Sequence, residues 1–350
     1  MVTGAPKRLS RIVSLASAMT LGLAAIMPTS TMAAAYASPQ PPASHWITST
    51  NYRYPGNDGK HHAVSWDKYS YMIDDHHLNI WSGEVHYWRL PSPHQWRDVL
   101  QKMKAAGFNA VSFYFFWGYH QSAPDSPSDF SGIRNIDLLL RMAAEEGLYV
   151  IARPGPYINA EISMGGMPAW QTNSSLPLRN AWDNTNWQQQ RAWLHAVNKI
   201  IARHQVTNGG GSVLLYQVEN EELASVGPYA DYVKKIIKAA KEDGINVPIF
   251  HNDYAPVGNW AFTTKDTGLD VYSYDDYPIR FDCSATRHKL QDHNWHIDPA
   301  FRAAHHSPHF IAEAQGGAFT PWGASFNASA CEKFVDANFY RQWAALNNGA

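Results

Sequence analysis

Short apolar runs alternate with amphipathic stretches along the chain after residue 75. Seven of these runs have the length and composition of buried β-strands, and several are followed directly by polar or charged residues. The predicted strands are Leu78–Glu84, Ala110–Phe113, Tyr149–Arg153, Val213–Glu219, Pro248–His251, Leu269–Tyr272 and His309–Glu313.

Most of the stretches between the strands have helical spacing. Apolar residues in Trp96–Met103 recur at i, i+3, i+4 and i+7, after Ser92-Pro93 as N-cap and first helical position, and the segment closes at Gly107. Two further stripes, at 139–143 and 233–240, end at Gly147 and Gly244. Repetition of helix, glycine and strand predicts right-handed βα units and a parallel sheet.

Two architectures fit this alternation, a doubly wound sheet and a (β/α)8 barrel. The doubly wound fold usually has a glycine-rich phosphate loop after its first strand, but Gly209-Gly210-Gly211 precedes a strand instead. Polar residues at the carboxyl ends of several strands favour the barrel. No run follows the last helical pattern, Phe334–Leu346, so we predict a barrel that lacks its last strand in this chain.

The first 37 residues have the layout of a secretory signal peptide. Lys7, Arg8 and Arg11 precede an apolar stretch at 12–27, and small residues follow at 33–37. The alternative is an N-terminal membrane anchor, although the stretch is short for a span and Pro28 ends it. We predict a signal peptide at 1–37, a proline-containing lead-in at 38–75, a catalytic barrel at 76–350 and a secreted protein without membrane attachment after signal removal.

The amino-acid composition indicates which kinds of ligand this chain can bind. The formal net charge is −2 and there is no basic run, which argues against nucleic acid. Aromatic residues make up 13% of the chain, including 14 Trp and 18 Tyr, and such side chains both fill cores and stack on sugars. In an oxidising compartment Cys283 and Cys331 can form one disulfide; two free buried thiols are the alternative.

Carboxylates stand at or near three predicted strand ends. Glu219 and Glu221 follow one strand, Glu313 ends another, and Glu161 comes shortly after a third. Glycoside hydrolysis needs one protonated carboxyl group and one ionised carboxylate on either side of the bond that breaks. Taken alone, a glutamate in such a place is more often an exposed strand-end residue or the partner of an arginine than a catalytic group.

The motifs around these glutamates resemble glycoside hydrolase family 35, the β-galactosidase family, and in particular its larger secreted members. Six segments match in family order and cover about residues 76–345. They are Ser82–Pro91; Gly107–Val111 with Tyr114 and Trp117; Arg153–Glu161 with Gly165, Gly166 and Pro168; Gln217–Glu221; Asp275–Pro278 with Phe281–Cys283; and Glu313–Gly317 with Pro321–Gly323.

The resemblance implies a retaining exo-β-galactosidase that acts on a β-galactoside oligosaccharide or polysaccharide. Glu221 matches the general acid/base and Glu313 the nucleophile. Positions that hold the galactose ring are matched by Tyr114, Asn159, Ala160, Glu161, Asn220 and Tyr277. The Cys283–Cys331 pair would join the loops on either side of Glu313. The resemblance implies no cofactor and no metal, and further C-terminal domains in family members.

Two alternative functions stay open beside this one. The chain can be an inactive galactoside-binding remnant, or an exo-β-glycosidase of the same clan with another preference, such as β-glucosaminides. Gln121 stands where the family often has an acid. Glu84 is a substrate contact or a structural ion pair. Glu219 would share the side of Glu221 on an alternating strand, and we expect it to be packed or to support Glu221.

Overall fold

The computed structural model describes residues 56, 58–173, 178–179, 184–223, 225–261, 264–277 and 306–314. All of them belong to one unit, residues 52–350. The predicted signal peptide, the predicted helix at 334–346 and the predicted Cys283–Cys331 disulfide lie outside the described residues and stay predictions. Among the described residues, no helix combines the length and apolarity needed to cross a bilayer.

A seven-stranded sheet forms the centre of the described chain. Its order follows the sequence and every neighbouring pair is parallel. The central strands are buried along their whole length, because a barrel strand faces helices on one side and the barrel interior on the other. The strands are β4 (Ser82–Glu84), β5 (Ala110–Tyr114), β6 (Tyr149–Arg153), β7 (Val213–Gln217), β8 (Ile249–Asp253), β9 (Val271–Asp276) and β10 (Ile311–Ala314).

Four longer helices connect these strands, and their ends match the capping signals. They are α1 (Pro93–Ala105), α3 (Ile136–Glu145), α4 (Asn184–Ile201) and α5 (Gly227–Glu242), with one-turn helices α2 (Trp117–His120) and α6 (Thr264–Thr267). Ser92 caps α1 by accepting a hydrogen bond from the amide of Gln95. Gly107, Gly147 and Gly244, which follow three helices, have left-handed φ of 95°, 70° and 99°.

The fold class is therefore a (β/α) barrel, as predicted. Within the described residues the sheet runs from β4 to β10, and these two strands are its edges. This is the arrangement expected for a barrel short of its eighth strand.

A three-stranded antiparallel meander precedes the barrel and was not predicted. It consists of β1 (Val64–Trp66), β2 (Tyr71–Ile73) and β3 (His76–Leu78). Tyr71 is buried, and its ring packs edge-on against Phe310 just before β10, with centroids 5.5 Å apart. The predicted strand Leu78–Glu84 is thus wrong as one element, because its first residue ends β3 and its last three form β4.

Aromatic residues occupy much of the core. Trp96, Trp117, Trp193 and Trp260 are fully buried, and the indoles of Trp117 and Trp193 stack with centroids 6.3 Å apart. Burial of so many large rings accounts for part of the high aromatic content.

Candidate active site

Polar side chains gather where the parallel strands end. Tyr114, Arg153, Gln217 and Asp253 are the last residues of β5, β6, β7 and β8. Since parallel strands end at one edge of a barrel, these side chains and those of the following loops share that edge. The remaining members come from β9 and β10.

Glu313 on β10 is held by three donors. Its Oε1 accepts hydrogen bonds from Nη2 of Arg153 at 2.5 Å and from the hydroxyl of Tyr114 at 2.5 Å. Its Oε2 accepts a hydrogen bond from the hydroxyl of Tyr277. Burial opposes ionisation of this carboxyl, but the Arg153 charge and the two hydroxyls outweigh it and hold the pKa of Glu313 below its ordinary value.

Glu221 has a different environment. Its Oε2 accepts hydrogen bonds from Nδ2 of Asn220 at 3.1 Å and from Nδ2 of Asn159 at 3.5 Å. Burial and the negative charge of Glu313 raise the pKa of Glu221, with Arg153 opposing them. The two glutamates thus share one electrostatic environment, in which one carboxyl is biased towards protonation and the other towards ionisation.

Asn220 connects both halves of the site. Its buried Oδ1 lies within hydrogen-bond distance of the Tyr114 hydroxyl (2.6 Å), Arg153 Nη2 (3.1 Å), Gln217 Nε2 (3.2 Å) and Asn252 Nδ2 (3.1 Å). The Tyr114 hydroxyl carries one proton, so it donates either to this oxygen or to Glu313. Side chains of four strands are therefore joined through one amide.

The loop after β6 carries three consecutive residues with left-handed backbone. Asn159, Ala160 and Glu161 have φ of 53°, 51° and 48°, a region that non-glycine residues seldom adopt. Arg89 holds the turn by donating to the carbonyl of Ala160 at 2.8 Å. Partial desolvation of its carboxyl group, with the charges of Glu313 and Glu84 adding to it, raises the pKa of Glu161. Strain of this kind is concentrated at ligand sites.

The structure brings the predicted site residues together. Hydrogen bonds connect Asn159, Glu221, Asn220, Tyr114, Glu313 and Tyr277 in one network. Ala160 packs with Tyr114 in a small apolar cluster, and Glu161 interacts electrostatically with Glu313. Their roles stay predictions.

Contacts in the structure bear on two questions that the sequence left open. Glu84 forms an ion pair with Nη1 of Arg153 at 2.6 Å, and its other carboxylate oxygen lies within hydrogen-bond distance of Nε2 of His86, at 2.7 Å. Gln121 is buried; its amide group donates to the carbonyls of Ala123, Pro124 and Ser126 and so holds the loop after α2. An ionised acid could not make these donations.

The alternation argument for Glu219 was wrong. The strand ends at Gln217, and both Glu219 (φ 60°) and Glu221 (φ 48°) have left-handed backbone, so strand periodicity does not apply to them. Glu219 is fully buried and pairs with Arg179, whereas Glu221 bonds the amides of Asn159 and Asn220. The expectation that Glu219 is packed agrees with these contacts.

Sequence reasoning missed three polar members of the site. Arg153, whose side chain is 1% exposed, has no role in the site assigned to it by the sequence beyond its place in a motif. Asn252 donates to Asp275 Oδ2 at 2.7 Å and accepts from the amide of Glu221 at 3.3 Å. Burial and the charge of Glu313 raise the pKa of Asp275 well above its ordinary value. The signal that could have found them is their place at or near strand ends.

The histidine pairs carry no metal arrangement in the described chain. Among those residues, no cluster of three or more His, Cys, Asp or Glu side chains could hold a metal ion. Imidazoles there bond protein groups, such as His62 between Asp58 and Asp74.

A parallel barrel with two glutamates at its carboxyl edge, one with a raised pKa and one with a lowered pKa, is an arrangement typical of glycoside hydrolases. The chain belongs to glycosyl hydrolases family 35, whose family model matches residues 70–347. The predicted family is therefore confirmed.

Curated relatives agree with this family. The chain is 37% identical over 287 residues to a probable beta-galactosidase C of Aspergillus flavus, covering 80% of this chain and 29% of that protein. It is 40% identical over 274 residues to the protein of the same name from Aspergillus clavatus, covering 76% and 28%. The chain thus spans less than a third of the length of these relatives.

Solved structures support the fold alone. A glycoside hydrolase family 5 protein from Bacteroides vulgatus superposes with a TM-score of 0.52 at 12% identity, over 82% of this chain and 61% of that one. A second structure, named glycoside hydrolase, gives a TM-score of 0.50 at 12% identity over 76% and 59%.

Proposed function

We propose that this chain is the catalytic barrel of a secreted, retaining exo-β-galactosidase that releases terminal β-D-galactosyl residues. Glu313 attacks the anomeric carbon, and Glu221 protonates the departing oxygen. Glu221 then takes a proton from the water that hydrolyses the galactosyl-enzyme. The similarity to proteins named probable beta-galactosidase C supports the choice of sugar.

The placement of both glutamates in one hydrogen-bond network at the carboxyl ends of the strands, with opposite pKa shifts, carries the proposal. A nucleophile must be ionised, and the Arg153 charge and two hydroxyls favour that form of Glu313. A general acid must hold its proton near neutral pH, and burial next to Glu313 favours that form of Glu221. When Glu313 is consumed in the covalent intermediate, its charge is lost and the pKa of Glu221 falls. Glu221 can then act as the base.

The sugar would be held by the same network. Asn159 and Glu161, on the left-handed turn after β6, offer an amide and a carboxylate for hydroxyl groups. The hydroxyls of Tyr114 and Tyr277 keep Glu313 in place under the anomeric carbon. Trp88 stacks on His86 with centroids 4.6 Å apart beside Tyr114, and these rings offer an apolar wall to the sugar.

Hydrolysis of p-nitrophenyl β-D-galactoside tests the proposal. Glu313→Gln should lower kcat by roughly 10⁴-fold or more, as for the loss of other covalent nucleophiles. Glu221→Gln should lower it by about 10²–10⁴-fold. Glu145→Gln, at an exposed partner of Arg97, is the matched control and should keep full activity. Proton NMR of the first product should show the β-anomer.

Other outcomes would replace the proposal. Binding of galactosides without turnover would favour a galactoside-binding remnant, and faster cleavage of β-glucosaminides would favour another member of the clan. Full activity of Glu313→Gln would remove the nucleophile assignment. Export is tested by N-terminal sequencing of secreted protein, which should begin near residue 38; an intact Met1 on cell-bound protein would contradict it.

A further inference from the structure

The peptide that carries Glu221 has an uncommon backbone. After β7 ends at Gln217, Glu219 and Glu221 both adopt left-handed φ, of 60° and 48°. Such a conformation is unfavourable for a residue with a side chain and persists only where surrounding contacts determine it. The position of the Glu221 carboxyl therefore depends on what holds this turn.

One guanidinium holds the turn on both sides of Glu221. Arg179 donates through Nε and Nη2 to the two carboxylate oxygens of Glu219, at 2.8 and 2.7 Å. Its Nη2 also donates to the carbonyl of Asn220 at 2.6 Å, and its Nε lies 3.4 Å from Oε2 of Glu222. Residues directly before and after Glu221 thus share one cation, whose planar fork suits such bidentate contacts.

Arg179 also contacts the loop after β6. Its guanidinium lies over the ring of Tyr157, 3.9 Å from the centroid, two residues before Asn159. The neighbouring Leu178 is anchored on α4, because its carbonyl accepts a hydrogen bond from Gln190 at 2.8 Å. Arg179 therefore joins the loops that supply Asn159 and Glu221, whose side chains meet at 3.5 Å.

In the Arg179–Glu219 ion pair, the glutamate is the more deeply buried partner. Glu219 is fully buried, and burial raises its pKa to about 7 although Arg179 lowers it. Without Arg179 this carboxylate would lose its only described cationic hydrogen-bond partner inside the barrel. It would then take up a proton or draw the turn into a new conformation.

We propose that Arg179 is a positioning residue for acid/base catalysis, which sets the Glu221 carboxyl by fixing the backbone at residues 219–222. This role rests on the proposed function of Glu221. Its described contacts are with the residues beside Glu221 and with Tyr157, so it acts on the reaction through the positions of Glu221 and Asn159.

The dependence of kcat/KM on the leaving group tests whether Arg179 positions Glu221. Protonation by Glu221 is essential for a poor leaving group such as methanol and nearly dispensable for dinitrophenolate. Arg179→Met should lower kcat/KM for methyl β-galactoside by roughly 10–100-fold. It should lower kcat/KM for the dinitrophenyl substrate by no more than roughly threefold. Arg179→Lys keeps the charge but not the fork, and should fall between wild type and Arg179→Met.

Arg191→Met is the matched control. Arg191 and Arg179 have equal side-chain exposure of 27%, and each forms a bidentate pair with a buried carboxylate, Asp243 in the case of Arg191. Arg191→Met should weaken the α4–α5 contact without changing the ratio between the two substrates. An equal loss on both substrates in Arg179→Met would overturn the proposal.

Hydrogen exchange keeps the test independent of turnover. In Arg179→Met, a peptide covering 217–223 should exchange faster than in wild type, while one covering 240–246 should not; Arg191→Met should show the reverse. Wild-type protein that hydrolyses neither substrate would count against the proposed function. Unchanged exchange at 217–223 in Arg179→Met would count against Arg179 whatever the activity.

Discussion

Arg153 and Glu313 form a buried ion pair, with Nη2 and Oε1 2.5 Å apart, although 160 residues separate them in the sequence. The other guanidinium nitrogen of Arg153 binds Glu84 at 2.6 Å, and its face lies 3.9 Å from the ring centroid of Tyr114. Contacts with β4 and β5, together with its own place on β6, thus fix the Arg153 side chain where it meets Glu313. It supplies a positive charge where the proposed nucleophile must remain ionised.

Removing this charge should change the pH dependence of catalysis. Arg153 lowers the pKa of Glu313, so Arg153→Met should raise that pKa and move the acidic limb of kcat/KM to higher pH. We also expect a loss of about 10²–10³-fold at the optimum, comparable to the loss of one strong electrostatic donor. Arg97→Met is the control, because Arg97 also bridges two glutamates but lies on α1. An unmoved acidic limb in Arg153→Met would contradict the assignment.

The hydroxyl of Tyr277 should support the same carboxylate. It donates to Oε2 of Glu313, and a hydrogen bond to a charged group contributes about 1.5–3 kcal/mol. Tyr277→Phe should therefore lower kcat by roughly 10–100-fold while the protein stays folded. Tyr272→Phe, which removes a buried donor to Asp253 at 3.0 Å, should cost stability and leave kcat within about twofold. Equal kcat in the two variants would argue against a role for Tyr277.

Gly165 should be irreplaceable for steric reasons. A Cβ at this position would lie 2.0 Å from Cε2 of Tyr157, and its φ is +56°. Gly132 has φ +54° but nothing within 4 Å of an added methyl group. Gly132→Ala therefore measures only the free-energy cost of left-handed backbone at a residue with a side chain, about 1–2 kcal/mol. Gly165→Ala should cost at least about 1–3 kcal/mol more and raise KM, because Tyr157 leads into the turn at 159–161. Thermal unfolding and KM measure both effects; similar melting temperatures would refute the steric argument.

Asp253 should make stability fall as pH rises. Burial raises its pKa from 3.8 to about 7, although the Tyr272 hydroxyl lowers it. Between these values the folded protein holds a proton that the unfolded chain has released, so the stabilising effect is complete below about pH 4 and is lost by about pH 7. The free energy of unfolding of Asp253→Asn relative to wild type should therefore rise by up to about 4 kcal/mol between pH 4 and pH 8.

Urea unfolding across this pH range measures the effect. Asp98→Asn, at an exposed partner of Lys102, should follow the wild-type curve. A wild-type pH profile in Asp253→Asn would show that Asp253 is ionised in the folded protein.

The sequence predicted the existence of the strands near the site better than the residues at which they end. Tyr149–Arg153 was predicted with its observed bounds, since glycine and proline delimit it. The strand predicted at Leu269–Tyr272 is instead β9, Val271–Asp276. Polar residues usually end a buried strand, but here Asp275 stays in the sheet, where Asn252 on β8 donates a hydrogen bond to its Oδ2.

The sequence by itself determined the βα alternation, the helix caps and the family, and it predicted the two catalytic glutamates, because each of these depends on residues close together in the chain. Tertiary structure alone decided which groups surround those glutamates. Arg153, Asn252 and Arg179 come from different βα units, and no local spacing records that their side chains meet. The pKa of a carboxyl group depends on burial and on charges across the barrel, so the opposite pKa shifts of Glu221 and Glu313 arise only once the strands are assembled.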